Sequence, residues 1–70
     1  MHALWLIWSF EHNGWWCPHE RGYTSDLNRA GTYSFEKAFD IVTHANTQFR
    51  MKYAEGDANA MPNEVMIPFI

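Results

Sequence analysis

Leu4-Trp5-Leu6-Ile7-Trp8-Ser9-Phe10-Glu11-His12-Asn13-Gly14-Trp15-Trp16-Cys17 is the stretch that decides the fold. Leu4 to Phe10 is rich in aromatic and branched residues, the composition of a strand. Asn13-Gly14 is the dipeptide best suited to a type I′ hairpin turn, because both central positions need positive φ. Trp15-Trp16-Cys17 then opens a second strand. Pro18, with no N–H to donate, ends it or holds it at an edge. A two-residue loop at Asn13-Gly14 sets His12 opposite Trp15, Glu11 opposite Trp16 and Phe10 opposite Cys17. Opposed residues share a face, and so do alternate residues along each strand. One face therefore carries Leu4, Leu6, Trp8, Phe10, His12, Trp15 and Cys17, the other Trp5, Ile7, Ser9, Glu11 and Trp16. The first set makes the better core.

Outward from the hairpin, His19-Glu20-Arg21-Gly22 reads as a polar loop and Tyr23-Thr24 as a short extended piece. Ser25 to Gly31 reads as a turn or single helical turn closed by glycine. Ser34 is a good N-cap, and Glu36 sits in the first turn, where the helix dipole favours an anion. Phe35, Ala38, Phe39, Val42, Ala45 and Phe49 recur at helical spacing, which places a helix at about 35–48 with Glu36, Lys37, Asp40, Thr43, His44 and Thr47 on its solvent side. Arg50 to Asn63 reads as a mobile loop after a frayed helical turn. Glu64 to Ile70 alternates as a strand, with Val65, Ile67 and Phe69 on one face and Pro68 marking an edge. The expected fold is a single α+β domain over residues 1–70: an antiparallel hairpin and a C-terminal strand, three or four strands in all, packed on one helix in ββαβ order. One helix roofs only one side of a sheet, so the other side stays open unless something else covers it.

Seventy residues bury about 60% of the unfolded surface, which leaves a small fold marginal without reinforcement. The single cysteine, Cys17, forms no internal disulfide, consistent with a reducing cytoplasm. Four Trp, five Phe and three Tyr supply the reinforcement instead, each ring removing about 150–250 Å² from water. Eight acids against five bases give a formal charge of −3, without the clustered Lys/Arg patch of a nucleic-acid binder. The apolar run Ala3–Trp8 is too short for a signal peptide core or a membrane span, so neither export nor membrane association is expected.

Residues that could carry chemistry are few. His12, Cys17 and His19 are weak metal candidates, since tetrahedral zinc wants four ligands in close pairs and His2 or Glu20 would have to complete the set. Cys17 would need a base to become a nucleophile, and its face is the expected core. Glu36 and Asp40 stand one turn apart on the solvated side of the helix, with nothing to desolvate either. Gly22, Gly31 and Gly56 are isolated and make no phosphate-cradling loop. An enzyme is therefore not expected, nor a cofactor. The remaining signal is the Trp5, Ile7 and Trp16 face with Glu11. Covered by Tyr23, Tyr33 or the 50–62 segment, it is a second layer of core. Left open, it is a contact surface, because Trp and Tyr dominate interface energetics and an exposed apolar patch marks an interaction site.

Trp15-Trp16, Gly22-Tyr23-Thr24, Ala30-Gly31-Thr32-Tyr33-Ser34, Ala38, Ala45-Asn46 and Pro62-Asn63-Glu64-Val65-Met66-Ile67-Pro68 form a pattern that resembles a group of short, mostly uncharacterised proteins of bacteriophages and prophages. Residues 50–61 depart from it in being longer. The resemblance implies a class of job, because small phage proteins without enzymatic motifs often bind and block a host protein, anti-CRISPR proteins among them. The expectation is thus an inhibitor in a bacterial cytoplasm acting by steric occlusion of a host protein such as a CRISPR effector. Trp5, Ile7 and Trp16 would be its apolar anchors, and Glu11, Glu36 and Asp40 would meet basic groups on the partner. The alternatives are an accessory homodimer that buries its own open face, or a small metal-binding module.

Overall fold

The computed structural model of the chain describes residues 3–69. Four strands, β1 (Leu4–Ser9), β2 (Gly14–Trp16), β3 (Tyr23–Thr24) and β4 (Glu64–Phe69), form one antiparallel sheet in the order β3-β2-β1-β4. Between β3 and β4 lie two helices, α1 (Phe35–Ala45) and α2 (Thr47–Ala54). The fold is α+β, with a fourth strand and a second helix beyond the minimal ββαβ plan.

The hairpin is shorter than the Asn13-Gly14 rule predicts. Trp8 pairs with Trp15 and Ser9 with Gly14, so Phe10 to Asn13 form the connection. Past Ser9 the chain turns locally: Ser9 Oγ accepts the His12 N–H at 3.1 Å, the kind of side-chain bond that competes with a strand ladder. The Phe10 N–H continues the pairing with β4, donating to the Asn63 carbonyl at 2.7 Å. Asn13 still takes the left-handed conformation, at φ 51°. Trp15 thus faces Trp8 instead of His12, and Cys17 and Phe10 are not a pair. The slip from His12 to Trp8 is an even number of residues, so each side chain keeps the face that alternation assigns it.

The choice of core face is reversed. Ile7, fully buried, forms the core with Tyr33, Ala38 and Ile41, and Trp5, Trp16, Val42 and Met66 pack against it. Helix α1 therefore covers the Trp5/Ile7/Trp16 side. Its apolar stripe is also rotated. Ala38 and Ile41 are buried, while Phe35 and Phe39 are more than half exposed. Ala38, with only a methyl group, lets the helix come close to the sheet. Phe35 instead meets the edge of the Trp5 ring, with centroids 5.5 Å apart, and stacks on Phe39. Ser34 caps α1 as expected, its Oγ accepting the Lys37 N–H at 3.2 Å.

Residues 31–33 fill the gap where β1 and β2 splay apart. The Gly31 N–H donates to the Trp16 carbonyl at 2.8 Å, and Tyr33 exchanges two backbone bonds with Trp5 at 2.8 and 2.9 Å. The Tyr33 hydroxyl then donates to the Cys17 carbonyl and accepts the Glu20 N–H. After α1 the expected loop is ordered differently: Thr47–Ala54 continue as α2, turned off α1 at Asn46. Strand β4 is an edge strand carrying Pro68, as its composition indicates.

Candidate functional site

The side of the sheet away from α1 is apolar, and no helix among the described residues lies on it. Paired residues share a face, so the register Leu4↔Phe69, Leu6↔Ile67, Trp8↔Val65 and Trp8↔Trp15 gathers all seven of these residues there. Leu6 is buried at the centre, and Leu4 and Phe69 are 40% and 49% exposed. Trp8, Trp15, Val65 and Ile67 are half-buried. Trp8 and Trp15 lock edge to face with centroids 4.9 Å apart, so the two largest rings form one rigid ridge. Phe10, 57% exposed, opens the connection that follows β1. These are mainly the residues that alternation assigns to the core. The structure leaves them open because the chain carries its helix over the other face.

Of the anchors read from sequence, Ile7 is fully buried and cannot reach a partner. Trp5 and Trp16 are half-buried against the core, and the indole N–H of each is buried without a hydrogen-bond partner among the described residues. Both pack against the core on the α1 side of the sheet. Trp16→Ala is expected to cost about 3 kcal/mol of stability, visible as a lowered melting temperature. Glu36 and Asp40 lie on α1, on the far side of the sheet from the open face, where Asp40 pairs with His44 at 3.4 Å. They do not share a surface with the open aromatic ridge.

The suggested ligands do not converge either. Cys17 follows β2, and His19 sits in the 3₁₀ turn Pro18–Glu20. His2 lies outside the described residues. Among the described residues, the one group of three such donors is Glu11, His12 and Glu64, with one donor atom from each within 4.8 Å of the others. Around it, the His12 ring stacks on Tyr23 with centroids 3.9 Å apart and planes 8° from parallel, and its Nδ1 lies 3.2 Å from Ser9 Oγ. Burial first, then the charges of Glu64 and Glu11, push the Tyr23 phenol above its ordinary value of 10.0. Nothing in the local sequence announces Glu64 as a member. It joins Glu11 and His12 only because β4 pairs with β1.

Between β2 and α1, Glu20 and Lys37 form an exposed ion pair at 3.0 Å across a cleft lined by Pro18, His19, Thr32 and Tyr33. No helix among the described residues is long and apolar enough to cross a membrane. No family model, no curated protein and no solved structure matches the chain.

Proposed function

We propose that this protein is a small binding module that inhibits a larger host protein by occluding part of its surface, with the open face of the sheet as its anchor. The observation that carries this reading is the Leu4/Trp8/Trp15/Val65/Ile67/Phe69 face, an apolar surface with a rigid tryptophan pair that no helix among the described residues covers. Interfaces draw their energy from such aromatic clusters at the centre of a patch, and contiguous exposed apolar surface on a small protein marks a contact site. The formal charge of −3 would speed association with a basic partner. Together with the resemblance to short phage proteins, this favours a bacterial, cytoplasmic target with a basic nucleic-acid channel, such as a CRISPR effector.

A second reading, the accessory homodimer, draws support from the same face and from the six-residue edge strand β4, because two copies could bury their apolar surfaces against each other. Sedimentation across a concentration range separates the two, since the inhibitor stays monomeric and the accessory protein dimerises.

The test of the first reading uses Leu4→Glu and Phe69→Glu, made separately. Both positions are near half exposed, so the fold should survive with its melting temperature within a few degrees. A host protein retained by the immobilised chain should be lost with either variant, its affinity falling at least about tenfold, or 1.4 kcal/mol. Glu36→Gln, on the other side of the molecule, should retain it. Capture that is indifferent to Leu4 and Phe69 but abolished by Glu36→Gln would move the interface to α1 and end this reading.

A further inference from the structure

We propose that Glu11, His12 and Glu64 form a three-ligand site for a divalent transition-metal ion of the zinc or manganese kind. The inference does not depend on the binding face described above, which lies on the other side of the sheet. It rests first on convergence. Two carboxyl groups and one imidazole, from the β1–β2 connection and the start of β4, bring one donor atom each within 4.8 Å of the others. Ligands around a tetrahedral ion, with bonds of about 2.0–2.2 Å, stand roughly 3.4 Å apart. Glu11 and His12 are exposed on a turn and can close that remaining distance by side-chain rotation.

The second observation is Glu64 itself. The residue is only 3% exposed, and its Oε2 is buried with no hydrogen-bond partner among the described residues. A buried carboxyl oxygen without a donor is costly, and natural proteins keep such groups where something else satisfies them. No lysine or arginine among the described residues forms an ion pair with Glu64 or Glu11. A cation between them would balance both charges and complete the coordination of Oε2.

The surroundings are those of a prepared ligand set. Asn46 holds the Glu64 backbone on both sides, accepting its N–H at 2.9 Å and donating to its carbonyl at 2.8 Å. Buried Ser9 places its Oγ beside His12 Nδ1, and Tyr23 stacks flat on the ring. Metal-bound histidines are typically oriented in this way, one ring nitrogen held by a neighbour and the other left for the ion. One imidazole with two carboxylates suits zinc or manganese better than a soft ion such as Cu(I). Three protein ligands leave the remaining positions to solvent.

The experiment titrates ZnCl₂, and separately MnCl₂, into the metal-free full chain without a histidine tag, by calorimetry and by thermal melting. One equivalent of at least one ion should bind. The melting temperature should rise by roughly 10–20 °C when free ion stands at a hundredfold its Kd. Glu64→Gln and Glu11→Gln should each weaken binding by about a hundredfold, since even indirect partners of a bound metal cost 10- to 100-fold. Glu11 is exposed, so its variant cannot fail through misfolding. Without metal, Glu64→Gln should melt at the same temperature as the parent chain or higher, because it removes an unpartnered carboxylate. The Cys17→Ala/His19→Ala variant should bind as the parent does. No saturable binding of either ion, binding undiminished in both glutamine variants, or binding lost only with Cys17 and His19 would each overturn the proposal.

Discussion

Replacing Asn46 with alanine is expected to lower the unfolding free energy by about 3 kcal/mol or more, measured by urea titration against the parent chain. Asn46 occupies the single residue between α1 and α2 and is 8% exposed. Its Oδ1 accepts the N–H groups of Asn63 and Glu64 at 2.8 and 2.9 Å, and its Nδ2 donates to the Glu64 carbonyl at 2.8 Å. One side chain thus stitches the helical layer to the first residue of β4. Alanine deletes all three bonds and leaves backbone groups buried without partners, each at a cost of roughly 1–3 kcal/mol. A core of this size supplies only about 3–5 kcal/mol in total, so the variant should be largely unfolded near 37 °C. A loss below about 1 kcal/mol would mean that water replaces the amide and that β4 is held by its pairing with β1 alone. Because Asn46 also sets the position of Glu64, any folded fraction of the variant should bind zinc more weakly than the parent.

Gly31→Ala is expected to be equally severe for a different reason. Gly31 is buried where residues 31–33 enter the gap between β1 and β2. A Cβ there would stand 2.6 Å from the Pro18 nitrogen and 2.7 Å from the Cys17 carbonyl carbon and Pro18 Cα. All three are backbone atoms, so no rotamer change relieves the overlap. Either the Gly31 N–H bond to the Trp16 carbonyl breaks or the turn at Pro18 shifts, which also disturbs the Tyr33 hydroxyl bond to Cys17. Overpacking of this kind costs typically 1–3 kcal/mol and more where the neighbours are rigid, and about 3 kcal/mol is expected here. Gly22→Ala is the control. Gly22 has φ 92° with open space around it, so it should lose only about 1 kcal/mol, from backbone strain. Equal losses at the two positions would refute the role of close approach at Gly31.

The two cases show how local the legible part of the sequence is. Ser34 as a helix cap, Asn13 in the left-handed region and Pro68 on an edge strand all follow from chemistry within a few residues. Asn46 reads locally as an ordinary polar residue in a helical stretch, and Gly31 as a turn glycine. Their weight comes from partners distant in the chain: β4 for Asn46, and the Cys17-Pro18 backbone for Gly31.

The sequence alone determined that Leu4, Leu6, Trp8 and Trp15 lie together on one side of the sheet and Trp5, Ile7 and Trp16 on the other, since a strand alternates with period two and an even slip in register changes nothing. It also determined the α+β class, because one sheet period and one helical period are both written in it. Only the tertiary structure decided which side receives α1, and hence which tryptophans are scaffold and which face outward. Both faces of β1 are apolar, so alternation cannot rank them; the path of the chain from Tyr33, paired beside Trp5, into α1 settles it. The meeting of Glu11 and His12 with Glu64 has the same origin, a pairing of strands from opposite ends of the chain that no local pattern encodes.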